Sequence, residues 1–149
     1  MRQARIAVAG SLAAVASAGA LAVASPAAGA ATVELRQTNR GMILTNSAGF
    51  TLYEFTSDSK KKDNCVTISG CPESWPPLTV MGAPSAGPGL KPHKLGTIML
   101  PNGSMQVTYN KRPLYTYRGD ANPEETSYIG AFAFGGNWYG MTAKGKPVI

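Results

Sequence analysis

The sequence predicts an all-β domain made of two pseudo-symmetric repeats, a compact sandwich or barrel carrying one short disulfide loop. Three observations predict it. Seventeen glycines and eleven prolines among 149 residues far exceed the roughly 12% usual for the pair, which leaves little room for long helices. Beyond residue 40 the apolar residues come in short runs cut by turn residues, with no sustained 3.6-residue period. A Leu-Tyr-x-aromatic-x-x-Asp motif occurs twice, at Leu52 to Asp58 and at Leu114 to Asp120.

The N-terminus reads as an export signal. Arg2 and Arg5 precede an uncharged run from Ile6 to Ala24, and Ala28-Gly29-Ala30 sets small residues at the −3 and −1 positions of a cut before Ala31. The run carries Gly10, Ser11, Ser17 and Gly19, which makes it a weak membrane span. No cysteine lies beside the cut, so lipid attachment there has no acceptor. Residues 1–30 are thus assigned to a cleaved signal peptide, with no stable membrane span expected afterwards. Their removal leaves 119 of the 149 residues and takes two positive charges and no acid, so the net charge falls from +6 to +4.

Residues 31–40 read as a polar lead-in and residues 41–149 as one β domain. Repeat one covers about 41–80. Met42 to Leu44 form a strand, Asn46 to Gly49 a turn and Phe50 to Phe55 the returning strand. Ser57 to Pro77 is irregular and holds Lys60-Lys61-Lys62, Cys65, Cys71 and Trp75-Pro76-Pro77. In an exported chain the two cysteines read as a disulfide. Closing so short a loop contributes roughly 2–3 kcal/mol and fixes its shape; the spacing is not that of a redox pair. The Pro- and Gly-rich stretch 81–95 reads as a linker. Repeat two covers about 96–142, with strands at Thr97 to Leu100, Met105 to Tyr109 and Leu114 to Tyr117. Turns fall at Pro101-Asn102-Gly103 and Asn110 to Pro113, and a last hairpin folds about Gly135-Gly136.

Three landmarks in the same order argue for duplication. The tyrosine motifs lie 62 residues apart, Trp75 and Trp138 lie 63 apart, and Gly41-Met42-Ile43-Leu44 resembles Gly96-Thr97-Ile98-Met99-Leu100, 55 residues on. The shorter upstream offset reads as an insertion in the second half. Strand side chains alternate faces, so Tyr53 and Phe55 share one face, as do Tyr115 and Tyr117. These four rings, with Trp75 and Trp138, are expected to pack in the core or between the halves. Asp58 and Asp120 stand where each strand ends. Each can close its own turn, or the two can meet across a pseudo-twofold axis as a cation or paired-carboxylate site.

This doubled Tyr-x-aromatic-x-x-Asp motif resembles a family of secreted bacterial repeat proteins of unknown function, often predicted to be lipoproteins. The resemblance extends to Cys65 with Cys71-Pro72-Glu73-Ser74-Trp75-Pro76-Pro77-Leu78, to Asn110-Lys111-Arg112-Pro113-Leu114-Tyr115 and to Gly136-Asn137-Trp138-Tyr139, and covers about residues 41–142. It implies a secreted or cell-wall-associated bacterial protein with a repeat architecture. It implies no catalytic residues.

The residues themselves exclude most chemistry. One histidine, His93, lies among lysines, and hydrolase, zincin, phosphate-loop and EF-hand signatures are absent. The chain is therefore expected to be no enzyme and to carry no cofactor. Whether a metal binds stays open: Met42, Met81, Met99, Met105 and Met141 with His93 offer soft ligands for cuprous copper, although Met42 and Met99 read as core residues. Lys60 to Lys62, Arg112 and Arg118 read as a basic surface suited to anionic wall polymers. The expected partner is a cell-wall polymer or an envelope protein, not nucleic acid. A metal-binding or electron-transfer accessory of the envelope is the alternative.

Overall fold

The computed structural model describes residues 32–149; the signal peptide expected at 1–30 lies outside them. Short strands dominate, as the turn spacing requires. β1 (Val33–Thr38) and β2 (Gly41–Asn46) form an antiparallel hairpin in register Leu35 opposite Leu44. β3 (Tyr53–Phe55) follows, and β4 (Thr79–Val80) comes after the disulfide loop. The second repeat supplies β5 (Leu95–Met99), β6 (Met105–Tyr109), β7 (Arg112–Pro113), β8 (Phe132–Ala133) and β9 (Gly136–Met141), and β10 (Pro147–Val148) closes the chain. One sheet runs β10-β9-β3 with β8 on β9, and another runs β4-β6-β5 with β7 on β6. The result is a layered, multi-sheet β fold without barrel closure.

Of the lead-in expected at 31–40, the described residues 32–40 are not loose. Val33 is fully buried, and all six residues of β1 pair with β2. Polar composition hid a period-two pattern in which Val33 and Leu35 face the core, while Glu34 and Arg36 pair with each other on the other face. The stretch 81–95 is also tied down. The Val33 amide donates to the Ser85 carbonyl at 3.1 Å, the Gly87 amide donates to the Val33 carbonyl at 2.8 Å, and Leu90 is buried.

The Leu-Tyr dipeptides divide the interior in two. Leu52 and Leu114 enter one apolar cluster with Val33, Leu44, Val107 and Met141. Tyr53 and Tyr115 enter the other with Ile43, Phe55, Trp75, Trp138 and the Cys65–Cys71 disulfide. Alternation along a strand sends neighbours to opposite faces, so one short motif seeds both layers.

Backbone hydrogen bonds correct the upstream repeat alignment. The Leu52 amide donates to the Leu44 carbonyl and the Leu114 amide to the Val107 carbonyl, both at 3.0 Å. Gly41-Met42-Ile43-Leu44-Thr45 therefore corresponds to Ser104-Met105-Gln106-Val107-Thr108, and the second half has no insertion there. The likeness to Gly96–Leu100 came from apolar composition alone, and β5, paired with β6 as β1 is with β2, is instead the counterpart of β1.

The repeats exchange strands. β3 of repeat one pairs with β9 of repeat two, and the Thr56 amide donates to the Asn137 carbonyl at 2.9 Å. Reciprocally, Leu78 donates to Leu114, Thr116 to Pro76, and Arg118 to Ser74 at 2.9 Å. At the centre, Tyr53 and Tyr115 pair antiparallel through bonds of 2.8 and 3.0 Å. Each four-stranded sheet draws strands from both repeats, and a segment that buries half a core cannot offset the entropy of ordering its chain. Residues 31–90 expressed alone should show no cooperative denaturation by circular dichroism; a cooperative transition would mean that the exchange is dispensable.

Candidate functional site

The doubled motif converges on the pseudo-twofold axis. Each motif tyrosine reaches the aspartate of the opposite repeat. The Tyr53 hydroxyl donates to both carboxylate oxygens of Asp120, at 3.2 and 3.0 Å, and the Tyr115 hydroxyl donates to Oδ2 of Asp58 at 2.8 Å. Asp58 and Asp120 do not form a joint cation or paired-carboxylate site; each is committed to a phenol across the axis. They also hold their corners. The Asp58 amide donates to the Phe55 carbonyl and the Asp120 amide to that of Tyr117, while Asp58 Oδ1 accepts the Asn64 amide at 2.8 Å. Corner and cross-link are thus one device, used twice.

Burial sets the electrostatics of this device. Both carboxyls lose water on folding, and this pushes Asp58 and Asp120 up to about 6, against the opposing pull of their phenol hydrogen bonds. Tyr53 and Tyr115 are raised as well, first by burial and then by the facing carboxylates, which keeps both phenols protonated and donating.

The remaining motif rings build a column. Trp75 and Trp138 stack across the axis at 4.0 Å with planes 3° apart. Phe55 stacks on the outer face of Trp138 at 4.2 Å, and Tyr117 lies against Trp75 at 4.1 Å, tilted 33°. Tyr53 meets Trp75 edge-on and Tyr115 meets Trp138 edge-on, both at 5.1 Å. All but half-buried Tyr117 are buried. Tyr128 lies against Tyr117 at 4.2 Å, tilted 54°, and Tyr117 lines a surface recess with Glu73, Ser74 and Arg118. The disulfide opens this column: Cys71 begins a short helix, and the Trp75 amide donates to its carbonyl at 2.8 Å.

The basic residues divide differently from the sequence expectation. Arg112 is not free surface. Its guanidinium donates to the carbonyls of Asp58 at 3.0 Å and Phe55 at 2.7 Å, and it lies 3.5 Å from Glu54. Arg118 lies apart, beside Glu73 and Ser74. Lys61 joins three residues that sequence reasoning passed over or read as plain loop. With His93, Lys94 and Lys111 it surrounds a recess of about 220 Å³, floored by Leu95, Gly96, Thr97 and Thr108. The one signal for it is the Asn110-Lys111 pair, where a two-residue hairpin turn favours glycine and lysine stands instead.

The methionines divide: Met141 is buried and Met42 exposed, whereas Met99 stands opposite Met105 across β5 and β6, and Met81 and Met105 line one recess. Met42 is 48% and Met99 74% exposed, which corrects their reading as core residues; each lies on the outward face of its strand. Among the described residues no three of His, Cys, Asp and Glu converge on a point that could hold a metal. No helix among them is long and apolar enough to cross a membrane.

Residues 35–79 and 96–142 each match the family described as a secreted repeat of unknown function. The chain belongs to this family. Both matched segments span the crossed device of their repeat, from the β1 or β5 strand to the tryptophan. For this secreted repeat protein the family's unit is therefore one half of an interlocked pair. No curated protein and no solved structure is detectably similar to the chain.

Proposed function

We propose that this secreted repeat protein is a non-catalytic module of the cell envelope that holds an anionic wall polymer. The observation that supports the reading is how the charges are spent. Among the described residues Glu34, Glu54 and Glu124 are paired with arginines. Asp58, Asp63, Asp120 and Glu125 accept hydrogen bonds from phenols or backbone amides. None of the eight lysines lies within ion-pair distance of a carboxylate. Seven of the eight acids have partners within the fold, Glu73 alone standing exposed near Arg118, and the lysines face outward, so a chain of modest net charge presents a cationic surface. The motif aspartates and aromatics hold the scaffold.

Binding of this kind falls with salt, because counterions compete for both partners. The secreted protein should sediment with purified cell wall at low ionic strength and be released by salt. Absence of sedimentation at low salt would defeat the reading.

A further inference from the structure

Duplication supplies an internal control for the recess at Lys61. The two halves make the same contact at two corners of the molecule. At one, the Lys61 amide donates to the Lys111 carbonyl at 2.7 Å; at the other, the Glu124 amide donates to the Gly49 carbonyl at 2.8 Å. Lys61 and Glu124 share a left-handed backbone, with φ of 59° and 63°. Lys111 and Gly49 are left-handed too, at 66° and 90°. The backbones agree, and the side chains do not.

The Glu124 corner is neutralised from within. Arg36 lies against Gly49 and bridges Glu34 at 3.0 Å and Glu124 at 3.6 Å. The Lys61 corner has four basic side chains and no acid lining its recess. Lysine also occupies position 111, where its sister uses glycine, although a side chain in left-handed backbone is strained. The corner is rigid. Asn110 donates to the Gly145 carbonyl at 3.0 Å, and Lys94 Nζ donates to Asn110 Oδ1 at 3.2 Å. A Cβ at Gly96 would stand 3.0 Å from the Thr108 hydroxyl, so glycine leaves that donor open to the recess.

From this asymmetry we infer that the recess formed by Lys61, His93, Lys94 and Lys111 binds a phosphate group of a phosphodiester-linked wall polymer. The inference rests on the wall-polymer reading and gives it a site. Ammonium groups and the Thr108 hydroxyl together suit an anion with several oxygen acceptors. A concave recess takes a phosphate on a flexible chain, whereas a flat bilayer cannot place its headgroups round all four basic residues.

The sister corner names the variants. Lys61→Glu and Lys111→Gly import residues that the same backbone already holds at Glu124 and Gly49, so both should fold. Inorganic phosphate, titrated at constant ionic strength and followed by NMR, should move the Lys61, Lys94 and Lys111 amides and the His93 ring along one saturating curve. A soluble poly(glycerol phosphate) should bind more tightly and move the same signals. Each variant should weaken binding at least tenfold, and Lys111→Gly should do so without lowering the melting temperature. Shifts scattered over all lysines, or variants that bind like wild type, would overturn the site. Wall sedimentation that survives both variants would also overturn it while leaving the wall-polymer reading intact. Phosphate binding here without sedimentation would sustain the site and defeat that reading. Tighter binding to phosphatidylglycerol vesicles than to the polymer would overturn the choice of polymer.

Discussion

Replacing Trp75 or Trp138 by alanine should cost about 4 kcal/mol of stability, a large part of what holds a domain of this size together. Trp138 is fully buried and Trp75 is 2% exposed. Each touches the other face to face, one motif ring on its outer face and a motif tyrosine at its edge. Truncation opens a cavity as well as losing transfer energy, and the rigid strands around the axis limit collapse into it. The effects should not add, because the two indoles share one contact and the second deletion cannot lose it again. Tyr128→Ala, at the half-buried end of the column, should cost about 1 kcal/mol or less. Urea denaturation of these four variants beside wild type measures all of this. A loss below about 1 kcal/mol for either tryptophan would show that the column is not the spine of the fold.

The sequence announced these rings and not their partners. Period-two alternation puts Tyr53 with Phe55 and Tyr115 with Tyr117, and the repeated order of Tyr, Asp and Trp marks two copies of one unit. Alternation states which face a side chain takes and says nothing about which copy faces it. A hydrogen bond from Tyr53 to its own repeat's Asp58 or to Asp120 writes the same residues into the chain. The exchange of β3 and β9 was hidden for a related reason: strands of three to six residues carry too little pattern to choose between neighbours of equal propensity. β1 was missed because Glu34, Arg36 and Gln37 outweigh Val33 and Leu35 in composition, although the alternation was present. The Lys61 recess needs four side chains from two distant stretches, 61 and 93–111. Only Lys111, on a turn that favours glycine, carried a local sign of it.

Acidification from pH 7 to pH 4 should stabilise this protein by several kcal/mol, the reverse of the usual behaviour of carboxylate-bearing folds. Asp58 and Asp120 titrate near 6 in the folded chain and near 3.9 once unfolded. Between those values the native state holds more protons than the unfolded state, so stability falls as pH rises through the window and is fully present below about 4. Asp58 contributes on the order of 2–3 kcal/mol, Asp120 less because solvent screens it more, and Glu54, raised by burial against the pull of Arg112, acts in the same direction. The cause is desolvation: each phenol supplies a single donor group where water would supply several, so the ionised form is under-solvated at the axis. Asp58→Asn and Asp120→Asn keep an acceptor for the phenol and remove the titration. Each single variant should therefore flatten part of the pH profile, and the double variant most of it. Chemical denaturation at half-unit steps from pH 4 to pH 8 reads the slope. A wild-type profile that climbs over that range would mean that the phenols and the Asn64 amide outweigh burial. The crossed tyrosines would then stabilise charged aspartates rather than shelter neutral ones.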